Sequence, residues 1–160
     1  MDPAVQQSVL ERLIDHEPKL ASEPPLDWTE SVALKRASVK RDLEWLLNTR
    51  RTGEPAPSRF PEVRASVHHF GLPDLTSLSA DSPETQQRLI REVEETIRQF
   101  EPRLTQVKVT GRPHDGSQRH RVRFLVEALL RLDPEPERIA FDTVLEVTSG
   151  TIRLAGEEDA

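Results

Sequence analysis

The chain has 160 residues, enough to close one hydrophobic core and too few for two. Charged side chains make up 31% of it and aromatic ones 4%, with a mean hydropathy of −0.59; no apolar run approaches the length of a membrane helix. The net charge of −6 argues against general affinity for nucleic acid, which comes from neutralising phosphates with Lys and Arg, and the lack of cysteine excludes disulfides and thiolate metal sites.

Met1-Asp2-Pro3 carries no basic region followed by an apolar one, so a cytoplasmic location without membrane insertion is expected. Asp2 and Pro3 read instead as the cap and first turn of a helix whose apolar residues Val5, Val9, Leu10, Leu13 and Ile14 recur at helical spacing. This helix is expected to end near His16. Pro18, Pro24 and Pro25 punctuate the next stretch, so residues 1–30 are read as a helix and proline-rich connector able to sit apart from the main domain, residues 31–155.

A long helix is predicted over residues 31–50, with Val32, Val39, Leu43, Leu46 and Leu47 on one face and Lys40, Arg41 and Glu44 on the other. Gly53, Pro55, Pro57 and Pro61 break the pattern. A short helix follows, with Val63, Val67 and Phe70 at i, i+4 and i+7, stopped by Gly71 and Pro73. Ser82-Pro83-Glu84 supplies a cap, a first-turn proline and a dipole-favoured acid for a third long helix. Its inward face is Leu89, Ile90, Val93, Ile97 and Phe100, and Glu92, Glu94, Glu95 and Arg98 are expected to face solvent.

After Arg103 the period changes to two, and strands are predicted over residues 104–110, 119–131, 138–148 and 151–154, joined by Asp115-Gly116, Pro134/Pro136 and Ser149-Gly150. Such short connections favour an antiparallel meander. Val122, Phe124, Val126, Ala128 and Leu130 line one face of the second strand. Leu125 and Leu129 put apolar groups on the other, a sign of cover by a helix or a partner protein. The expected fold class is α+β, three main helices packed on an antiparallel four-stranded meander sheet, with a loose acidic tail over residues 156–160.

The main candidate site is Glu101-Pro102-Arg103, where a helix runs directly into a strand. Proline pushes the preceding residue toward extended geometry, so an acid and a guanidinium are displayed at a fixed corner, which suits recognition more than catalysis. The competing reading is an ordinary ion pair at a helix end. His68, His69, His114 and His120 lack the spacing of a metal site, and no metal or cofactor is expected. Arg112, Arg119, Arg121 and Arg123, with His114 and His120, form a basic cluster read as a solvated sheet face, since few aromatics accompany it for base stacking. A glycosidase needs one carboxyl group kept protonated, which an adjacent guanidinium opposes at Glu101. There is also no Gly-rich phosphate loop, no Gly-x-Ser-x-Gly elbow and no nucleophilic cysteine, so no catalytic residue is assigned.

Three strings carry a family resemblance: Ser38-Val39-Lys40-Arg41-Asp42-Leu43-Glu44-Trp45-Leu46-Leu47-Asn48-Thr49-Arg50, His69-Phe70-Gly71-Leu72-Pro73-Asp74-Leu75, and Glu101-Pro102-Arg103-Leu104. Their order resembles the TssE family of type VI secretion baseplate subunits, part of the phage baseplate wedge family once labelled lysozyme-like. His69 departs from it, standing where a small polar or aromatic residue is expected. The resemblance implies a non-enzymatic structural subunit with two kinds of partner, baseplate wedge proteins and contractile sheath subunits. It also implies docking of Glu101, Pro102 and Arg103 on the wedge, a partner-docking role for the N-terminal helix, for which plain core packing is the competing reading, and initiation of the sheath by strand addition to the sheet. In a meander the edge candidates are residues 106–110 and 151–154, whose unpaired backbone groups can accept a strand. Arg103→Ala is then expected to leave the monomer folded and to abolish incorporation. The alternatives are a peptidoglycan-cleaving enzyme, as the old label suggests, and a stand-alone adaptor.

Overall fold

The computed structural model describes residues 4–14, 18–19, 24–51, 54, 56–74, 82–112 and 121–157. Its helices are α1 (Val9–Leu13), α2 (Trp28–Asn48), α3 (Pro61–Arg64) and α4 (Pro83–Phe100), with a 3₁₀ turn at Val67–His69. Four strands follow: β1 (Leu104–Gly111), β2 (Arg121–Leu130), β3 (Glu137–Glu146) and β4 (Thr151–Glu157). The class is α+β as expected, but two helices are long rather than three. β4 also takes in the first two residues of the predicted tail.

α2 begins at Trp28, one turn before the predicted start, because Asp27 and Glu30 close a capping box: Glu30 N–H donates to Asp27 Oδ1 at 2.7 Å and Asp27 N–H to Glu30 Oε2 at 3.2 Å. Val32, Val39, Leu43, Leu46 and Leu47 are buried as the spacing requires. α4 starts on the predicted Ser82 cap with Pro83 in its first turn, and buries Leu89, Val93, Thr96 and Ile97.

The N-terminal region departs from its reading. Asp2 and Pro3 lie outside the described residues, and α1 is capped by Ser8 and spans five residues, none buried. Val5 is upstream of the helix, where its N–H donates to Ser31 Oγ at 2.9 Å and its side chain is nine-tenths hidden. Gln7 donates to the Ser31 carbonyl and Lys35 Nζ to the Gln6 carbonyl, so this segment is laced to α2 instead of standing apart. The apolar spacing of Val9 and Leu13 marks an exposed face; they are 70% and 77% accessible.

The short predicted helix is likewise two pieces. Ser66 interrupts it by accepting the His68 N–H, Val63 and Val67 are exposed, and Phe70 meets Phe100 edge-on at 5.4 Å. Gly71 does end it, at φ +96°, and a Cβ there would fall 2.3 Å from the Thr49 carbonyl oxygen.

The sheet is the expected meander, in the order β1-β2-β3-β4. β2 and β3 pair without interruption from Arg121↔Glu146 to Leu130↔Glu137. β1 shifts register between Thr105 and Lys108, where Gln106 takes φ +52°, and β4 shifts opposite Phe141 and Thr143. Val122, Phe124, Val126, Ala128 and Leu130 are buried with Phe141, Leu145, Ile152 and Leu154 against α2 and α4. Leu125 and Leu129 are half-buried on the opposite face. α4 runs beside β1 and α2 beside β4, so each outer strand has a helix for a neighbour.

Candidate partner-docking site

The bend between α4 and β1 is built by ordinary helix termination followed by ion pairing. Glu101 closes α4 with its N–H on the Ile97 carbonyl, and its own carbonyl accepts from Leu104 N–H at 3.1 Å, which turns the chain into β1. Glu101 is buried, Pro102 exposed and Arg103 half-buried. Arg103 holds the Glu101 carboxylate in a fork, Nε to Oε1 at 2.7 Å and NH2 to Oε2, and its backbone N–H adds a bond at 3.2 Å. Its outer nitrogens then reach α2: NH1 donates to Ser38 Oγ at 3.0 Å and NH2 to Asp42 Oδ2 at 2.7 Å. Hydrogen bonding to Glu101 raises the pKa of Arg103 most; partial burial opposes this and Asp42 adds to it, so the cation is permanent.

The network continues. Asp42 Oδ1 accepts from Arg41 Nε and NH2 at 3.0 and 2.8 Å, and Arg41 NH2 reaches Glu11 Oε1 at 2.7 Å, which ties α1 to the same array. A cleft of about 660 Å³ opens beside Arg103, walled by residues 4–8, Lys35, Ser38 and Arg131. Burial, and then the charge of Arg103, lower the pKa of Lys35. The corner is thus an intrachain ion-pair array, as the competing reading had it, with an exposed proline at its tip.

The same helix organises the other strings. Leu72 N–H donates to the Thr49 carbonyl and Arg51 N–H to the Leu72 carbonyl, both at 2.9 Å, forming a parallel bridge between Arg50 and Leu72. Thus Ser38 and Asp42 hold the Glu-Pro-Arg corner, while Thr49 and Arg50 hold the Phe-Gly-Leu segment. His69 is buried in that segment, and its Nε2 accepts the Ala56 N–H at 2.8 Å.

A scan against family models matches residues 33–135 to Baseplate wedge protein gp25. The chain belongs to this baseplate wedge family. It is a structural baseplate family and the one to which TssE belongs, so the resemblance read from the three strings holds. A comparison with curated proteins finds no match. The gp25-type match begins inside α2 and ends after β2, and so spans Ser38, Asp42 and the whole Glu-Pro-Arg bend.

Both predicted edges of this wedge domain are outer strands, but helix side chains cover their middles. At β1, Val109 N–H donates to Glu94 Oε2 at 2.9 Å and Arg98 NH2 to the Val107 carbonyl at 2.7 Å, with Glu94 and Arg98 paired to each other at 2.7 Å. Both were expected to face solvent, and Arg98 is still 55% exposed while Glu94 is half-buried. At β4, Ile152 N–H donates to Asn48 Oδ1 and Asn48 Nδ2 to the Ile152 carbonyl, both at 2.8 Å, while Leu154 N–H reaches Glu44 Oε1 at 3.3 Å. Sequence reading missed these partners, because a polar residue on a helix looks solvent-facing until the helix is laid beside a strand.

Among the described residues no group of three His, Asp or Glu could hold a metal, and no helix is long and apolar enough to cross a membrane. His114, His120 and Arg119 lie outside the described residues. Arg123 pairs with Asp142 at 2.7 Å and Arg121 with Glu146 at 4.0 Å, so acids on β3 answer basic residues on β2.

Proposed function

We propose that the chain is a non-enzymatic subunit of a type VI secretion baseplate that works in the cytoplasm. It docks on wedge proteins through the corner at Glu101, Pro102 and Arg103 and starts the contractile sheath by strand addition at the edge of its sheet. The observation that carries this reading is the bend itself, in a chain of the baseplate wedge family: an exposed proline held rigid by a fork of Arg103 on Glu101 and tied to Ser38 and Asp42. A corner fixed before contact loses little conformational freedom on binding, which favours affinity.

The lysozyme-like alternative gains nothing at Glu101, whose two carboxylate oxygens are engaged by Arg103. Strand addition has a stated requirement: the side chains on whichever edge accepts a strand must first leave. Purified chain added to wedge proteins and sheath subunits is expected to be retained in a pull-down and to clear no cell-wall suspension. Clearing that disappears in a single carboxylate variant would establish the enzyme instead, and failure to retain either protein would favour a stand-alone adaptor.

A further inference from the structure

We propose that β4 is the edge that accepts a partner strand, and that Asn48 occupies the acceptor position until that strand arrives. This rests on the sheath-initiating role proposed above. A residue of an added antiparallel strand offers its own carbonyl and N–H to a single residue of the edge strand. The Asn48 carboxamide does the same, giving Oδ1 to Ile152 N–H and Nδ2 to the Ile152 carbonyl at 2.8 Å each. Glu44, one helical turn earlier, takes the next outward amide, Leu154 N–H. The ligand that would replace them is an extended segment presenting alternate backbone carbonyl and N–H groups.

The two edges differ in how easily they clear. On β1 the cover is charged, an ion pair of Glu94 and Arg98 that must be taken off the strand together, and α4 lies close enough that a Cβ on Gly111 would be 3.0 Å from Ile90 Cδ1. The Gln106 bulge also breaks the regular spacing of β1. On β4 the Asn48 carboxamide is neutral and belongs to the last, solvent-exposed residue of α2, so rotating its side chain frees both outward groups of Ile152, and the Glu44 carboxylate must then leave Leu154 N–H. The pairing of residues 151–154 with β3 is regular, which leaves the outward groups of Ile152 and Leu154 at strand spacing.

The test uses the full chain with purified sheath subunits, comparing wild type with Asn48→Ala, Asn48→Asp and, at the other edge, Arg98→Met. Amide exchange at Ile152 and binding affinity are the readouts. In the free chain, Asn48→Ala should speed Ile152 exchange about tenfold, since each lost hydrogen bond is worth a net factor of a few. Asn48→Ala should also bind sheath subunits about tenfold more tightly, Asn48→Asp less so, and Ile152 should regain protection in the complex. Arg98→Met should bind as wild type does. Unchanged or weaker binding by Asn48→Ala, tighter binding by Arg98→Met, or unprotected Ile152 in the complex overturns the assignment of β4; if wild type binds, the baseplate reading survives. No binding by any of the four chains overturns both.

Discussion

Glu101 has 6% of its side chain exposed and Arg103 22%, so the pair at the bend is better shielded than a surface ion pair. Removing the guanidinium leaves a hidden carboxylate without its cation, holding the backbone N–H of residue 103. Arg103→Ala should therefore cost about 3 kcal/mol of stability in addition to any loss of docking, which revises the expectation of an unaffected monomer. Urea denaturation checks this, and Glu101→Gln combined with Arg103→Met should recover part of the loss because no buried charge remains. His69 makes a pH-dependent contribution. Burial, then the charge of Arg51, lower its pKa from 6.5, so as pH falls below that value the unfolded chain takes up a proton that the folded chain resists. Its contribution is complete above 6.5 and is lost as pH falls through the folded-state value. The urea midpoint should fall between pH 7.5 and pH 5.5, and His69→Gln should flatten that part of the profile. The corner was legible because proline and a two-residue spacing speak through local geometry. Ser38 and Asp42, more than sixty residues away from Arg103, send no local signal.

Elements were readable where burial repeats with a clean period. β2 alternates over its whole length, and α4 has its cap, its proline and its apolar stripe in sequence. The start of α2 was also present, in Asp27 and Glu30, although apolar spacing alone begins one turn later. α1 and the segment around Val63 misled for the opposite reason: their apolar residues recur at helical intervals, yet Val9, Leu13, Val63 and Val67 stay exposed. Gly71 shows how a loop can be as constrained as the core. Gly71→Ala should cost more than about 2 kcal/mol, since a side chain there meets both a disfavoured φ and the Thr49 carbonyl. Thermal melting should show this as a large fall in midpoint, whereas an alanine at the exposed Val67 should leave the midpoint almost unchanged.

At the scale of the molecule, α2 connects everything this account uses. Its first turns hold the N-terminal segment, Ser38 and Asp42 further along hold the bend, its last turn bridges to β4, and its apolar face shares one core with α4 and the sheet. Phe124 and Phe141 are fully buried in that core, and Phe124→Ala should cost about 3–5 kcal/mol, measurable in urea, as the surroundings close only partly over the gap. Composition and period were enough to predict one α+β core; which helix guards which edge depends on contacts made across the chain, as between Asn48 and Ile152. The central claim is that the corner serves a wedge partner beyond its role within the fold. Pro102→Glu isolates that claim, because Pro102 is exposed and the Glu101–Arg103 fork does not use its side chain. Co-purification of wedge proteins with the variant should fall to background while its melting temperature stays close to that of wild type; undiminished co-purification would contradict the claim.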